Sequence, residues 1–395
     1  MSEWVECTIS DIGTVVGGAT PSTKKSENYV DGKIAWITPK DLSTFKGRYI
    51  VSGERNITES GLKSCSTKLL PKNTVLFSSR APIGYIAIAA NDLCTNQGFK
   101  SVIPNENTDP LFLYYLLKFN KDKIKSMGSG TTFKEISAKV MKNIKVFVPT
   151  SKSMQKNIAS ILGAIDNKIE LHNSINNNLL EQALTLYATQ FSSLELNGCI
   201  GDYCSVKSGF AFKSSWWTNS GIRVIKIGSI NQDNLNLLEC SYVDEDKADK
   251  AKDFVVKAGD LLIAMTGATI GKFAMVPYAS EMLLVNQRVG KFFLGNNPVE
   301  KLPFIYCTLK QPEVYGEVVN RGQGSAQPNI SASDIMSIPC VIPSKEAINK
   351  FNETVKPLFD LIISNQRENQ QLSSLRDLLL PRLMSGELDV SDINL

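Results

Sequence analysis

The stretch from Ile158 to Leu186 reads I-A-S-I-L-G-A-I-D-N-K-I-E-L-H-N-S-I-N-N-N-L-L-E-Q-A-L-T-L. One set of its residues recurs at alternating spacings of four and three, the a/d pattern of a helix that packs along a seam against another helix. The set consists of Ile158, Leu162, Ile165, Ile169, His172, Asn176, Leu179, Ala183 and Leu186. The stretch therefore predicts a long helix whose apolar seam is interrupted in the middle by two polar residues.

The same pattern returns 193 residues later in the chain. Its members are Phe351, Val355, Leu358, Ile362, Asn365, Asn369, Leu372, Arg376 and Leu379. Two asparagines, Asn365 and Asn369, again interrupt the middle of the stripe. If the two helices pair antiparallel, His172 faces Asn365, so the polar centres meet and fix the register. The alternative, in which each helix packs on its own domain with solvated polar residues, stays open, although two matching stripes in one chain favour the pair.

Shorter segments ahead of each helix also repeat, in the same order. The first-copy segments with their second-copy partners are Leu76–Gly84 (L-F-S-S-R-A-P-I-G) with Ile263–Gly271 (I-A-M-T-G-A-T-I-G), Thr95–Gln97 with Val285–Gln287, and Gly128–Ser137 with Gly322–Ser331. Each copy closes with an apolar strand that ends in a helix-excluding proline, Pro149 or Pro343. Such self-similarity predicts a duplicated chain in the order domain, helix, domain, helix.

The predicted fold class is α/β (α+β), with two similar mixed-sheet domains that are each followed by a long helix. The predicted boundaries are 1–150 and 196–343 for the domains, 151–195 and 344–388 for the helices, and 389–395 for a C-terminal tail. A chain of 395 residues is long enough for this. No apolar run is long enough to predict a membrane span, and eight scattered cysteines without a C-x-x-C pair predict a cytosolic protein.

Charge divides unevenly along the chain. Residues 1–198 carry 23 Lys+Arg against 17 Asp+Glu, whereas the remainder carries 20 against 22. A basic balance of this size is a weak indicator of nucleic acid, since a face can be basic while its domain is not. Charge alone therefore does not predict DNA binding.

Catalytic motifs are missing from the sequence. The single histidine, His172, lies in a helical seam, which argues against a Ser-His-Asp triad or a histidine-rich metal site. Gly267–Phe273 (G-A-T-I-G-K-F) lacks one spacer residue and the final Ser/Thr of a phosphate-binding loop. We expect no catalytic residue, no metal and no cofactor in this chain.

Layout and motifs together resemble the specificity subunits of type I restriction-modification systems over nearly the whole chain. The resemblance rests on the domain–helix order, the turns R-A-P-I-G and G-A-T-I-G, the loop G-Q-G-S-A-Q-P-N-I-S, and the C-terminal run L-L-P-R-L-M-S-G-E-L. It implies two target-recognition domains, each reading one half of an asymmetric bipartite target in double-stranded DNA. It also implies an antiparallel coiled coil with pseudo-two-fold symmetry that sets the gap between the half-sites.

The resemblance further implies partner subunits that carry the chemistry. Two modification subunits would use S-adenosylmethionine to methylate adenine, and two restriction (translocase) subunits would use ATP and Mg²⁺ to cleave DNA. The modification subunits would dock on the coil. The seam of 29 residues measures roughly 43 Å as a helix, which suits half-sites ~34–36 Å apart, one DNA turn.

The repeated turns supply side chains suited to DNA. Arginine pairs with guanine, amides pair with adenine, and lysine and hydroxyl groups contact phosphates. The predicted contacts are Lys40, Ser78, Ser79, Arg80, Asn96, Gln97, Ser129, Thr131, Thr132 and Lys134 in the first copy, and Lys226, Thr266, Thr269, Lys272, Asn286, Gln287, Arg288, Gln323, Ser325, Gln327 and Asn329 in the second.

Three alternatives remain open. Asn, Gln, Ser and Thr beside strand ends also form turns and satisfy local amides without touching a ligand. Trp36, Trp216 and Trp217 can stack on bases, although core packing is the favoured interpretation. At the level of function, the alternative is a scaffold whose duplicated domains bind a partner other than DNA.

Overall fold

The computed structural model describes residues 4–80, 82–129, 134–277, 281–322 and 328–390. The chain divides into two compact units, unit 1 formed by Met1–Glu170 with Leu372–Leu395, and unit 2 formed by Leu171–Gln371. The first long helix is Lys152–Phe191 and the second is Lys345–Met384, so each unit contains a part of both. No helix in the described ranges is long and apolar enough to cross a bilayer. The predicted mixed α/β class is confirmed.

Unit 1 is built on mixed sheets. A five-stranded sheet has the order Gly13–Gly17, Lys100–Pro104, Val75–Phe77, Ile86–Ala89, Tyr49–Ile50; a three-stranded sheet has the order Arg55–Ile57, Ile34–Ile37, Cys94–Thr95; and Trp4–Thr8 pairs with Lys145–Pro149. The shorter α-helices are Ile9–Ile12, Pro39–Thr44, Glu59–Lys63, Pro110–Phe119, Lys121–Ser126 and Ala138–Lys142.

Unit 2 repeats this architecture. A four-stranded sheet has the order Ser205–Ser208, Val289–Phe293, Leu261–Ala264, Phe273–Met275; a five-stranded sheet has the order Trp217–Thr218, Ser241–Val243, Ile222–Ile225, Leu283–Val285, Val255–Val256; and the strand pairs are Ile230–Asn231 with Asn234–Leu235 and Gly198–Cys199 with Pro339–Cys340. The α-helices besides the long ones are Ile200–Tyr203, Glu245–Ala248, Leu302–Leu309, Pro312–Gly322 and Ala332–Met336.

The strand pairing shows that the sequence alignment of the two copies is shifted by one residue at these strands. Val75 pairs with Ile88 as Leu261 pairs with Met275, so the strands correspond at a displacement of 186 and not 187. The glycine that ends the turn keeps the displacement of 187, because the turn is one residue longer in the second copy. The structural counterpart of Arg80 is therefore Thr266, and each lies in an equivalent isolated bridge.

Capping residues fix where the repeated helices begin. The Ser137 hydroxyl accepts a hydrogen bond from the Val140 amide at 3.2 Å, and the Ser331 hydroxyl accepts one from the Asp334 amide at 3.0 Å. Side-chain acceptors of this kind satisfy amides that a helix start leaves without a partner. The two serines therefore end the repeated loops at the same point in each copy.

The polar seam residues meet within unit 2, but one helical turn away from the predicted pairing. His172 Nδ1 lies 3.0 Å from Asn369 Oδ1, and Asn365 Nδ2 donates to Asn176 Oδ1 at 2.8 Å. From the first pair to the second, the residue number increases on the first helix and decreases on the second. The helices therefore run antiparallel, as predicted. The predicted pair His172–Asn365 is wrong because it would set Asn176 against Ile362. The observed register gives each of the four polar seam residues a polar partner on the other helix, and an unpaired buried amide is costly.

Leu186 is a second correction in the seam. Its side chain is 36% exposed, while Tyr187 and Phe191 are buried against Phe351. A straight helix drifts about 20° per heptad relative to a strict seven-residue repeat. Over the length of this stripe, the buried face moves by one position. The other predicted seam residues are buried or half-buried.

Candidate nucleic-acid interface

The predicted contacts of unit 1 gather where two parallel strands end. Ile34–Ile37 runs parallel to Cys94–Thr95, and the Asn96 amide donates to the Ile37 carbonyl at 3.0 Å. Lys40 and Gln97 therefore follow neighbouring strand ends. In open α/β sheets, ligands bind at the carboxyl ends of parallel strands.

Unit 2 has the same arrangement. Ile222–Ile225 runs parallel to Leu283–Val285, and the Asn286 amide donates to the Ile225 carbonyl at 3.0 Å. Lys226 follows the first of these strands and Arg288 lies close behind the second. The repeat therefore places a candidate site at the same structural position in each unit.

In each unit, a glycine that the sequence analysis did not identify lets the chain pass within a short distance of a strand end. A Cβ atom on Gly18 would lie 2.1 Å from the Thr95 carbonyl oxygen, and one on Gly209 would lie 2.3 Å from the Val285 carbonyl oxygen. After the crossing, the amides of the next residues donate to those same carbonyls at 3.1 and 2.8 Å. The pattern V-x-x-G at residues 15–18 and 206–209 is the sequence signal that could have revealed the pair.

The repeated turn and loop complete each site. The Ser79 amide donates to Gly98 O at 2.7 Å, and the Ile136 amide donates to Ser79 O at 2.9 Å. In unit 2 the Met265 amide donates to Arg288 O at 3.0 Å, and the Ile330 amide donates to Met265 O at 2.9 Å. All three repeated segments therefore meet at one junction in each unit, as their shared order suggested.

Several predicted contacts have structural roles at this junction. Ser78 and Ser79 are fully buried; the Ser78 hydroxyl donates to Pro82 O at 2.8 Å and accepts from the Tyr85 amide, and the Ser79 hydroxyl donates to Gly98 O at 3.1 Å. The structure does not support base contact by these two serines, because their hydroxyls close the turn. Thr269 likewise donates to Thr266 O at 3.2 Å.

Both asparagines of the strand ends cap local turns. Asn96 Oδ1 accepts from the Gly98 amide at 2.8 Å, and Asn286 Oδ1 accepts from the Arg288 amide at 3.3 Å. The predicted contacts that remain exposed are Lys40, Gln97, Ser129, Lys134, Gln287, Arg288 and Asn329, whereas Arg80, Lys226, Thr266 and Lys272 are half-buried. Thr131, Thr132, Gln323, Ser325 and Gln327 lie outside the described residues.

Two predicted cationic contacts of unit 1, Arg80 and Lys40, are paired with carboxylates. Glu135 lies between Lys100 at 3.2 Å and Arg80 at 3.9 Å, and Lys40 pairs with Glu54 at 2.8 Å. Unit 2 has neutral residues at the positions of that first cluster, with Thr266 and Asn329 forming the equivalent bridge. The two copies therefore present different charges on the same framework.

Several lysines of unit 2 lie beside tryptophan rings. Lys226 Nζ lies 3.5 Å from the centroid of Trp217, and burial lowers the pKa of this lysine. Lys213 and Lys250 lie 5.8 and 5.3 Å from the centroid of the half-buried Trp216. Among the described residues, no ion pair joins Lys226 or Arg288 to a carboxylate. Two cations that follow neighbouring strand ends are thus available to an anionic ligand.

Trp36 differs from these two tryptophans. It is buried, and its indole nitrogen donates to Ala19 O at 3.1 Å, so it belongs to the core. Within the described residues, no group of three or more His, Cys, Asp or Glu side chains could hold a metal ion. Burial raises the pKa of the Cys204 and Cys340 thiols to about 12, which keeps them protonated.

Comparison with known proteins gives consistent matches. A family model described as type I restriction modification DNA specificity domain matches residues 1–181 and 196–374. The type I restriction enzyme MjaIX specificity subunit of Methanocaldococcus jannaschii is 33% identical over 418 residues, which cover 99% of this chain and 95% of that protein. The MjaVIII specificity subunit of the same organism is 24% identical and covers 79% of this chain and 78% of its own length.

A solved structure matches the fold over the same extent. The crystal structure of a type I restriction-modification system S subunit from M. genitalium superimposes with a TM-score of 0.58 at 18% identity, covering 99% of this chain and 97% of that one. At this identity, the likeness supports the fold alone.

Proposed function

Because the chain belongs to the family of type I restriction modification DNA specificity subunits, we propose that each unit reads one half of a bipartite DNA target. The observation that carries the proposal is the strand-end site, which occurs twice on the same framework with different exposed side chains. The main-chain geometry that the two units share suits the DNA phosphates, which both half-sites have in common. The side chains that differ between the two units suit the bases, which distinguish one half-site from the other.

The two sites should read different sequences. Unit 1 offers Arg80, which can pair with guanine once Glu135 releases it. Unit 2 offers Arg288, Lys226 and the amide of Asn329, and its half-exposed tryptophans suit stacking on bases. An asymmetric target follows from this difference.

Catalysis belongs to partner subunits in this proposal. Exposed faces of the long helices would dock two modification subunits, which bring S-adenosylmethionine, and two restriction subunits would bring ATP and Mg²⁺. The coil would set the gap between the half-sites. We place the assembly in the cytoplasm, with the DNA on which it acts.

Methylation mapping by long-read sequencing tests the function. A methylation-free bacterial host expresses the chain with its modification subunit, and a second strain carries a chain whose residues 1–150 come from a relative. We expect methylated adenine in one gapped asymmetric motif, and the exchange should change only one half of that motif. Methylation that persists unchanged without this chain, or none from a soluble complex, would favour the DNA-free scaffold instead.

The paired substitution Lys226→Met with Arg288→Met tests the second site. If both cations contact phosphate, the slope of log affinity against log salt for target DNA should fall by about 1 per lost contact. Fluorescence anisotropy of the assembled complex from ~50 to ~200 mM salt measures this slope. Lys301→Met, an exposed lysine of the same unit outside the site, is the matched control. An unchanged slope in the double variant would remove these cations from the interface.

A further inference from the structure

Arg48 holds the recognition domain of unit 1 on the first long helix. Its Nε and Nη2 donate to the two carboxylate oxygens of Glu170 at 3.0 and 3.2 Å, and Nη1 donates to Gly163 O at 3.4 Å. Nη2 also donates to Asn167. Burial alone would lower the pKa of Arg48, but the hydrogen bonds and charge of Glu170 outweigh it and raise the pKa. This guanidinium, only 5% exposed, therefore binds the helix over about two turns, from Gly163 to Glu170.

Its position in the sheet makes Arg48 a rigid connector. The residue precedes the edge strand Tyr49–Ile50, and its carbonyl accepts from the Ile88 amide at 2.7 Å. One residue thus joins the edge of the five-stranded sheet to the helix. Charged bidentate hydrogen bonds fix geometry as well as supplying energy.

Asp233 receives the equivalent contact from the long helix in unit 2, through a different element of the fold. It lies at the tip of the hairpin Ile230–Leu235 with a positive φ of 64°. Its carbonyl accepts from Gln366 of the second long helix at 3.1 Å. Its carboxylate accepts from Lys310 at 2.5 Å and from the Tyr306 hydroxyl, which secures the hairpin tip from the other side.

Apolar packing alone would not fix the angle between domain and helix. Ile158 and Leu162 pack in one core cluster with Phe112 of the recognition domain, and such contacts are roughly proportional to buried area and have no direction. We call the polar contacts of Arg48 with Glu170 and of Gln366 with the Asp233 carbonyl the two clamps. Each clamp adds direction to the apolar packing at a single point. The two clamps share no sequence, which is why the repeat comparison does not find them.

We infer that Arg48 and Gln366 are positioning residues that fix each recognition domain on its long helix and thereby restrict the gap between the half-sites. The inference rests on the proposed function, because a gap has meaning only for a bipartite target. Neither residue needs to touch DNA. Loss of a clamp should leave the half-site bases unchanged while loosening the spacing between them.

The experiment is methylation mapping on targets whose gap is lengthened or shortened by one base pair. The full chain with its modification subunit carries Arg48→Met, Gln366→Met, or the control Lys46→Met, which removes an exposed cation two residues from the clamp. Methionine is a good helix former, so Gln366→Met keeps the helix and removes the amide that donates to the Asp233 carbonyl. We expect the clamp variants to raise methylation at altered gaps, relative to the natural gap, by about tenfold, and the control to match the wild type.

A merely structural role gives a different pattern. Methylation would then fall equally at every gap, and that result in both clamp variants overturns the inference. If Arg48→Met fails to assemble, the Gln366→Met result decides alone. A wild-type chain that directs no gapped motif would instead overturn the proposed function.

Discussion

Asp166→Ala is expected to lower the free energy of unfolding of unit 1 by about 3–5 kcal/mol. Asp166 is buried on the first long helix, where it accepts from the Tyr115 hydroxyl at 2.7 Å and from Arg376 Nη1 at 2.9 Å. Alanine leaves the guanidinium and the hydroxyl without this acceptor in a place that water reaches poorly. Removing one partner of a buried pair costs more than the pair contributes, because the other charge stays buried.

Hydrogen-exchange protection of the helix Pro110–Phe119 measures the effect within unit 1 of the full chain. Asp122→Ala, an exposed carboxylate in the same unit, is the matched control and should change stability by less than about 0.5 kcal/mol. An Asp166→Ala protein as protected as the control would contradict the prediction.

A pH dependence accompanies Asp166. Burial alone would raise the pKa of its carboxyl group, but Lys118, Tyr115 and Arg376 outweigh burial and hold the pKa below the ordinary value. A depressed pKa in the folded state means stability that is complete above the unfolded pKa of about 3.9 and is lost as pH falls through the folded value. The acid-induced loss of protection in unit 1 should therefore be smaller in the variant.

The heptad stripes made the long helices and their antiparallel pairing predictable, but not the register. A slip of one turn keeps most apolar residues in the seam, so apolar spacing cannot separate the two registers. The hydrogen bond between Asn365 and Asn176 separates them, because only the observed register gives each polar residue a polar partner. Leu186 was misplaced for a related reason, since the drift of a straight helix accumulates along the stripe.

The candidate site was predictable in outline, since repeats reveal which segments serve the same purpose. Individual roles were not. The sequence does not distinguish a serine that closes a turn from a serine that contacts a phosphate. The burial of Ser78 in the structure distinguishes it from an exposed donor. Arg48 and Glu170 are 122 residues apart, and no periodicity connects a loop residue with a helix at that distance. Long-range polar contacts of this kind follow from the fold.

Gly18→Ala is expected to reduce methylation of the full target by at least about tenfold, equivalent to ~1.4 kcal/mol, in a complex that still assembles. Its Cβ would lie 2.1 Å from Thr95 O and 2.4 Å from Asn96 O, both backbone atoms that cannot rotate away. The crossing segment or the strand end must move, at a cost of typically 1–3 kcal/mol. Either movement displaces the first site, because Asn96 and Gly98 form its turn.

Gly228→Ala is the matched control, since a Cβ there would meet nothing within 4 Å. Initial methylation rates of both variants, compared at equal complex concentration, measure the effect. Gly209→Ala should act like Gly18→Ala, but through the second site, because its Cβ would lie 2.3 Å from Val285 O. Protection from hydrogen exchange should then change around residues 94–98 in the first variant and around residues 283–288 in the second. A Gly18→Ala complex that methylates at the wild-type rate would show that the strand-end crossing does not shape the recognition surface, since the target requires both half-sites and the loss of either geometry must slow the reaction.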